Sequence, residues 1–567
     1  MVLNVALRRI PPALRLLLWC VLGAALVQLV LARLPGNPQG FSPIFWYLLS
    51  AYDAHGNWLL IALAVAAFLL RRQSAAIAAV RYAGDHPWTI AAAALLLFCA
   101  GARIVYHDYP LSMDEYVALF QAQSFAAGRL GGQFPPELLE QLLPRFPKGY
   151  FFIASQATGE VSGSYWPGFG MLLAPFAWLG IPWAANPVLS ALSLPAIHRL
   201  ARSLSGSREA AGWAVLLTLA SPVFVVSALS YYSMPAHLLC SLLYALLLLK
   251  PTIARALFAG LVGSLALTLH NPAPHLLFAA VFVIWLVARR TPLWVFVALV
   301  VGYLPLVALL GFGWQQHLAS LGGAAEAAQA AAPKVSAVSL LDRAGSMLAS
   351  ALTLPSARTI EARIAGASKI WTWGMAGLVV LAAYGYARAR QRPESRTLAG
   401  LLAAALAFTF FGYFLVAFDQ GHGWGYRYFH SAWFVLPVFA AHVLSDGTQD
   451  AELRNMAGWA MALSLVFANA LRLVQVDAFI TRQFHQVPPL AQAADPARGE
   501  IVFVDPAAGF YTRDMVRNDP LLRQTRTSMV YDGPEQAAAL MARRFPGYSR
   551  SAQGKWGELW IAPGDRR

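Results

Sequence analysis

Repeated apolar runs of bilayer-spanning length constrain this chain more than any other feature of its sequence. A transmembrane helix needs about 20 consecutive, mostly apolar residues, and about thirteen runs approach that length. Hydrophobic residues make up 58% of the 567-residue chain and charged residues only 12%, against roughly 25% charged in an average soluble domain. The sequence therefore predicts an all-α polytopic membrane protein. The predicted spans are 12–33, 45–71, 88–106, 186–203, 211–229, 231–249, 253–270, 271–289, 292–312, 369–388, 397–418, 428–445 and 455–472.

Clusters of arginine and lysine predict the orientation of these spans, because basic residues collect in cytoplasmic loops. All the clusters lie on one side if the glycine- and proline-rich segment 166–183 does not cross but forms a juxtamembrane or re-entrant helix. The N-terminus is then cytoplasmic and the C-terminus lies outside. The same rule explains the net charge of +15, so membrane lipids rather than nucleic acid are the expected partners. The basic clusters lie at 8–15, 71–81, 199–208, 250–255, 289–290 and 387–396.

Composition divides the chain into three predicted parts. Residues 1–87 hold two N-terminal spans, residues 88–473 form a membrane core, and residues 474–567 form a more highly charged tail. The tail contains EIVFVD, PEQAAALMARRF and GELWIAP, which alternate strand-like and helix-like patterns and predict a small α/β domain. By the predicted topology this domain lies on the outer face with two long loops, 107–185 and 313–368.

The cysteines predict no metal or redox site. Cys20, Cys99 and Cys240 all lie inside apolar runs and indicate neither a disulfide framework nor a zinc site. The sequence also has no P-loop and no metal-ligand spacing. A divalent ion beside Asp114 or Glu115 stays open, and no other cofactor is expected.

An acidic pair opens the stretch DEYVALFQAQSFAAGRL in the first outer loop, in a chain with only 27 acidic residues. Ser112 is placed to cap a helix, and acidic residues in a first turn are favoured by the helix dipole, so Asp114 and Glu115 have a purely structural interpretation. The alternative is a catalytic carboxylate at the membrane surface. Asp108 in the same loop is a further candidate.

Three turns between spans, SYYSMPAH, LHNPAPH and DQGHGWGYRYFH, place polar side chains on the same predicted face as the acidic pair. Together they predict a cavity rimmed by polar groups. Arg427 has two interpretations: an interfacial arginine that reaches the lipid headgroups, or a guanidinium that binds a lipid phosphate. The candidate residues in these turns are Tyr232, His270, Asn271, His422, Arg427 and Tyr428.

Four stretches in order resemble polytopic glycosyltransferases of the C superfamily (GT-C), and within it the bacterial relatives of protein mannosyltransferases and of the lipid A aminoarabinose transferase. The resemblance covers residues 88–445. Three departures are visible. Residues 12–71 add two helices, LHNPAPH has His270–Asn271 where relatives often have a basic residue before proline, and the sequence lacks the histidine-rich loop signatures of eukaryotic protein mannosyltransferases. The stretches are DEYVALFQAQSFAAGRL, SYWPGFGMLLAPFAWLG with NPVLSALSLPAIHRLARSL, LASPVFVVSALSYYSMPAHLLCSLLYALLLL, and GHGWGYRYFHSAWFVLPVFA.

The resemblance implies a GT-C-like fold and a multi-pass protein of the bacterial inner membrane. It implies transfer of a sugar from a polyprenyl phosphate to an acceptor hydroxyl, with inversion, at the periplasmic face. Asp114 matches the family's catalytic position and is the expected general base, with Glu115 holding the acceptor or orienting a basic group. Arg427 is expected to bind the donor phosphate, with His270 and Tyr232 as companions. The acceptor stays open among a lipid, a polysaccharide and a protein.

Other classes of protein also fit parts of the sequence. A transporter or flippase would have many spans and polar groups at membrane depth, but no matching broken helices mark two repeated halves. A polysaccharide polymerase or ligase would use polyprenyl-linked glycans too, although its chemistry relies on arginines of a late outer loop. A structural assembly factor with a periplasmic tail is the third alternative.

Overall fold

The computed structural model describes residues 11–33, 43–74, 77–147, 149–322, 353–416, 423–447 and 450–563. Helices dominate this part of the chain, as the sequence predicts. In order, the helices are Pro12–Leu31, Pro43–Leu48, Leu49–Asp53, Ala54–Leu70, Ile77–Asp85, Pro87–Ile104, Met113–Ala126, Leu139–Leu142, Gly168–Trp178, Ala185–Ser205, Arg208–Leu219, Pro222–Leu229, Met234–Leu248, Ile253–Thr268, Ala273–Ala288, Leu293–Leu306, Val307–Gly313, Trp314–Leu321, Ala357–Thr372, Leu378–Gln391, Pro393–Gly412, His430–Trp433, Val435–Leu444, Ala451–Leu463, Ser464–Ala468, Asn469–Phe484 and Pro534–Arg544.

Six of the described helical segments are long and apolar enough to cross a bilayer. A seventh results if Arg208–Leu219 and Pro222–Leu229, which meet at 63°, are counted as one bent span. Several further apolar helices have only 10–17 residues. The predicted number of about thirteen crossings, which includes such short helices, stays a prediction. The six segments are Pro12–Leu31, Ile44–Leu70, Pro87–Ile104, Leu293–Leu321, Pro393–Leu415 and Ala451–Phe484.

Two predicted spans differ from the helices of the structure. The predicted span 369–388 is broken, because Gly377 adopts a left-handed conformation (φ 86°) between the helices Ala357–Thr372 and Leu378–Gln391. The predicted span ends at residue 472, but the helix continues to Phe484, and Phe479 is fully buried. Polar residues after 472 end the apolar run in the sequence, but they do not end the helix.

The segment 166–183 contains an eleven-residue helix, Gly168–Trp178, with a proline inside it. At 1.5 Å per residue this helix is about 17 Å long, well short of the roughly 30 Å hydrocarbon core. Its length therefore fits the predicted juxtamembrane or re-entrant segment.

Two small sheets lie outside the helical bundle. In the first loop, Glu160–Gly163 pairs antiparallel with Gly132–Gln133 and with Phe152–Ala154. In the tail, Glu500–Val504 pairs parallel with Arg526–Val530 and antiparallel with Gly557–Ile561, which also pairs with Ser549–Gly554. The predicted strand, helix and strand of the tail are therefore present, in a four-stranded sheet with the helix Pro534–Arg544.

The first loop and the tail share one hydrophobic core. Tyr116 and Phe120 of the loop belong to the same buried cluster as Phe503 and Met541 of the tail. The Tyr116 hydroxyl also donates to the Asn518 carbonyl oxygen at 2.6 Å. Whether the tail is a domain of its own stays a prediction, since its core is shared.

A buried ion cluster joins the N-terminal helices to the rest of the bundle. Asp53, 1% exposed, lies 3.1 Å from the Lys369 ammonium and 2.9 Å from the Arg472 guanidinium. The Trp373 indole donates to the same carboxylate at 2.7 Å. A Cβ at Gly56 would lie 2.2 Å from the guanidinium, so only glycine leaves room for it. These contacts explain how a span interrupted by an aspartate is tolerated in the bundle.

Candidate active site

The helix Met113–Ala126 begins with a capping box that uses one member of the acidic pair. Glu115 Oε2 accepts a hydrogen bond from the Ser112 N–H at 3.0 Å. Its Oε1 accepts from the Tyr106 hydroxyl and from the Tyr231 N–H, both at 2.9 Å. Glu115 is completely buried. Its side chain therefore holds the helix start in place, and it is not part of the cavity wall described below.

Asp114, the other member of the pair, points to a different set of partners. The Tyr165 hydroxyl donates to its Oδ1 at 2.6 Å, and the Arg427 guanidinium donates to its Oδ2 at 3.0 Å. The Asp114 side chain remains 21% exposed and that of Arg427 10%. The first loop, which carries both Asp114 and Tyr165, thus meets the turn that carries Arg427 at this carboxylate.

Arg427 is held by its own turn and by an aromatic face. The turn before it contains Gly425 with φ 76°, a conformation that glycine adopts easily. The guanidinium lies 4.4 Å from the centre of the Tyr232 ring, and the Tyr232 hydroxyl is hydrogen-bonded to Ser112 Oγ at 2.9 Å. Tyr232 therefore links the guanidinium to the cap of the helix that carries Asp114.

The charges in this cluster reinforce one another. Burial raises the pKa of Asp114, but Arg427, His270 and the Tyr165 hydroxyl outweigh burial and lower that pKa below its ordinary value. Burial, aided by Arg427, lowers the pKa of His270 to about 4, although Asp114 opposes the shift. At neutral pH the site therefore holds a carboxylate, a guanidinium and a neutral imidazole, whose ring centre lies 4.2 Å from that of Tyr165.

The cluster opens into a cavity of about 970 Å³, large enough for a sugar together with part of a lipid. Its wall combines the first loop, the turns between helices, and the tail. Five of the predicted residues lie together there, and the tail contributes a charged pair. The wall includes Asp114, Tyr165, His270, Asn271, Arg427, Tyr428, Arg513 and Asp514.

The remaining predicted residues occupy different positions. The Asn271 side chain accepts from the Ala273 N–H at 3.1 Å and so also shapes its own turn. Tyr428 stacks on Tyr413 with ring centres 4.7 Å apart. Asp108 pairs with the Tyr231 hydroxyl and with Arg103, and it is not part of the cavity wall. The remaining candidate, His422, lies outside the described residues.

Sequence reasoning missed two parts of this site. Tyr165 is not among the predicted residues, since nothing in the local sequence indicates that its hydroxyl reaches Asp114. Arg513 and Asp514 were overlooked because they lie in the tail, about 400 residues further along the chain: the Met113 N–H donates to Asp514 Oδ2 at 3.3 Å across a separation of 401 residues. Among the described residues, no group of three or more histidine, cysteine or acidic side chains is arranged to hold a metal ion.

The buried state of Glu115 predicts a pH dependence of stability. Burial raises its pKa from 4.5 to about 7, against the hydrogen bonds from Tyr231, Ser112 and Tyr106. The folded state thus favours the protonated acid. The contribution of Glu115 to the free energy of unfolding is therefore complete below about pH 4.5 and is lost as pH rises through about 7. We expect the thermal midpoint of the wild type to fall over this range. In Glu115→Gln the thermal midpoint should change less with pH over this range. In the control Glu140→Gln, which replaces an exposed carboxylate, it should fall as in the wild type. An unchanged profile in Glu115→Gln would contradict this account.

The similarity of this chain to known proteins lies in its structure. No family model and no curated protein matches the sequence. Among solved structures, the chain is similar to ArnT from Cupriavidus metallidurans bound to undecaprenyl phosphate, with a TM-score of 0.48 and 13% identity over 82% of this chain and 97% of that one. For the apo state of the same protein the TM-score is 0.47 and the identity 14%, with the same coverage. Similarity at this level does not assign an activity.

Proposed function

We propose that this chain is an integral-membrane glycosyltransferase of the inner membrane. It moves a sugar from a polyprenyl-phosphate donor to an acceptor hydroxyl at the periplasmic face, with inversion. The observation that carries the proposal is the Asp114–Arg427 pair in the wall of a large cavity next to apolar helices. A carboxylate that accepts a proton and a cation that stabilises a leaving phosphate are the two groups this reaction requires.

The reaction forms and breaks one bond at the anomeric carbon. The acceptor oxygen attacks that carbon from the face opposite the phosphate, which inverts its configuration. The bond between the anomeric carbon and the phosphate oxygen breaks, and its electron pair stays on the polyprenyl phosphate. The hydroxyl proton passes to the Asp114 carboxylate. Arg427 stabilises the negative charge on the departing phosphate.

In this proposal, donor binding prepares the base. Both carboxylate oxygens of Asp114 already accept hydrogen bonds, one from Tyr165 and one from Arg427. A donor phosphate offers Arg427 a second anionic partner with matching bidentate geometry. Transfer of Arg427 from the carboxylate to the phosphate frees Oδ2 and raises its basicity, because the neighbouring positive charge is then shared with the phosphate.

The other residues have supporting roles in this proposal. Tyr232 fixes the plane of the guanidinium, and His270 lies beside both Asp114 and the phosphate position as a neutral hydrogen-bonding group. Tyr428 and Asn271 shape the wall that receives the donor. Glu115 is a positioning residue, since it fixes the start of the helix that carries Asp114.

Arg427→Ala is predicted to weaken binding of undecaprenyl phosphate, the probe for the donor site, by about 10- to 100-fold. A charge-assisted hydrogen bond contributes about 1.5–3 kcal/mol, and each 1.4 kcal/mol is a factor of ten in affinity. The affinity of Arg427→Lys should lie between those of the wild type and Arg427→Ala, because an ammonium retains the positive charge but not the bidentate geometry of the guanidinium. Titration of the purified protein in lipid nanodiscs, followed by intrinsic tryptophan fluorescence, measures the affinity.

The matched control for this experiment is Arg498→Ala, which removes an exposed guanidinium of the tail outside the cavity wall. It should bind undecaprenyl phosphate like the wild type. Equal affinities for Arg427→Ala and Arg498→Ala would mean that the phosphate site is elsewhere. No binding by a folded wild type would argue against the proposed donor class as a whole.

A further inference from the structure

The tail inserts one tight turn, residues 506–514, into the wall of the catalytic cavity. Thr512 is fully buried, and its hydroxyl lies 3.1 Å from the Pro506 carbonyl oxygen and 3.0 Å from that of Gly509. Tyr511 has φ 83°, a conformation that residues other than glycine rarely adopt. Such strain persists where the surrounding structure holds it, and it is common at ligand sites. The turn is therefore fixed in one shape where it meets the cavity.

Asp514, at the end of this turn, lines the cavity. Its Oδ2 accepts from the Met113 N–H at 3.3 Å, directly before Asp114. Arg517 anchors the segment, because it donates to the backbone carbonyl oxygens of Asp514 and Leu111. Within the described residues, Oδ1 of Asp514 has no hydrogen-bond partner. Burial raises the pKa of Asp514 to about 6, so the group is mainly a charged acceptor at neutral pH.

Arg513 presents a cation to the same cavity. Its side chain is exposed, and its guanidinium lies 5.1 Å from the centre of the Phe146 ring of the first loop. No carboxylate of the described chain lies within 4.0 Å of it, whereas Arg427 is paired with Asp114. Five donors of a planar guanidinium are thus held over an aromatic ring and remain available to oxygen atoms of a ligand.

Aromatic faces complete this side of the cavity. Phe146 and Tyr150 come from the first loop, and Phe510 and Tyr511 come from the turn. Tyr150 and Phe510 are 61% and 44% exposed. Flat aromatic faces pack against the C–H faces of sugar rings, while carboxylate and guanidinium groups hydrogen-bond to the hydroxyls at the ring edge.

We infer that turn 506–514 is the acceptor side of the cavity and that it takes a saccharide ring. Asp514 accepts a hydrogen bond from one ring hydroxyl, Arg513 donates to ring oxygens, and the aromatic faces pack on the ring. This inference rests on the proposed function, which assigns the donor to Arg427. It places the acceptor beside the start of the helix that carries Asp114, where its hydroxyl meets the general base.

The test uses the full chain in nanodiscs with saturating undecaprenyl phosphate, so that the donor site is filled. The probes are methyl glucoside, methyl galactoside and methyl mannoside, with a threonine-containing tripeptide as a non-saccharide hydroxyl. Binding is followed by saturation-transfer NMR. At least one glycoside should bind the wild type, and Asp514→Asn and Arg513→Ala should each weaken that binding about tenfold, the loss of one good hydrogen bond to a charged group. The matched control Arg523→Ala, an exposed arginine of the tail outside the cavity wall, should bind like the wild type.

Three results would overturn the inference: no glycoside binds, only the tripeptide binds, or binding is insensitive to both substitutions. Undecaprenyl phosphate affinity is measured in separate titrations of the same variants and should change less than about twofold in Arg513→Ala and Asp514→Asn, because the proposed function assigns the donor phosphate to Arg427. If Asp514→Asn fails to fold, Arg513→Ala decides alone, since an exposed side chain is replaced. If the wild type binds a glycoside in an Arg513-dependent manner but not undecaprenyl phosphate, the donor proposal fails and the saccharide site stands.

Discussion

Asp114→Asn should reduce sugar transfer by about 10³-fold while undecaprenyl phosphate binds at least as tightly as to the wild type. The asparagine keeps the size of the side chain, and its carbonyl oxygen can still accept from the Tyr165 hydroxyl. It cannot accept the acceptor's proton, so the chemical step loses its base. Its amide also no longer competes for Arg427, so the guanidinium is fully available to the donor phosphate.

Two measurements separate these effects: single-turnover transfer from a polyprenyl-phosphate sugar, and the affinity for undecaprenyl phosphate. The matched control is Glu140→Gln, which neutralises an exposed carboxylate of the same loop and should behave like the wild type in both. Transfer at the wild-type rate by Asp114→Asn would show that the base lies elsewhere. Loss of donor binding along with transfer would instead indicate a structural role for the carboxylate.

Asp53→Ala should lower the free energy of unfolding by about 3–5 kcal/mol, since it leaves buried cations without their counter-ion. Lys369 is fully buried and Arg472 only 2% exposed, so neither reaches water when the carboxylate is removed. The control is an ion pair at the surface, Asp85 with Arg208, in which both side chains are about half exposed or more. Asp85→Ala should lower the free energy of unfolding by less than about 1 kcal/mol. Thermal unfolding of both variants in the same detergent gives the comparison.

The same substitution should also weaken donor binding, because the cluster supports the turn that carries Arg427. The Lys369 ammonium donates to the Gly423 carbonyl oxygen at 3.3 Å, four residues before the guanidinium. Adding Lys369→Met to Asp53→Ala removes one uncompensated charge and should restore part of the stability, but not the binding. Equal stability of Asp53→Ala and Asp85→Ala would contradict the importance of this cluster.

Periodicity and composition predicted much of the fold. The length of apolar runs and the position of basic clusters depend on the bilayer rather than on the details of side-chain packing. The helical bundle, the short helix in 166–183 and the tail elements were all accessible in this way. Asp53 shows that contacts between residues far apart in the sequence were not predictable in this way. In the sequence it only interrupts an apolar run, and the lysine and arginine that compensate it lie more than 300 residues further along the chain. An ionisable residue within a span was the available signal that such partners exist.

The site was predictable only as far as each segment carried its own signal. The acidic pair and the polar turns were visible, and the predicted topology places them on one face. The ion pair of Asp114 and Arg427, however, joins residues 313 apart. The different roles of Asp114 and Glu115 were not visible in the sequence either. A capping box requires Glu at the third position of the helix, which identifies Glu115 as structural once the helix start is known. The tail turn had no local motif, so its approach to the cavity appears only in the folded chain.

The most direct test of the central claim follows both halves of a polyprenyl-phosphate sugar in membranes that contain the full chain and a cell-envelope extract as the source of acceptors. The account predicts that the wild type transfers the sugar to an acceptor and releases one polyprenyl phosphate per sugar moved, and that Asp114→Asn at matched expression does neither. A donor that crosses the membrane unchanged would contradict the account and favour a transporter. A wild type that consumes no donor, in the presence of acceptors that a known glycosyltransferase uses in the same extract, would contradict it as well.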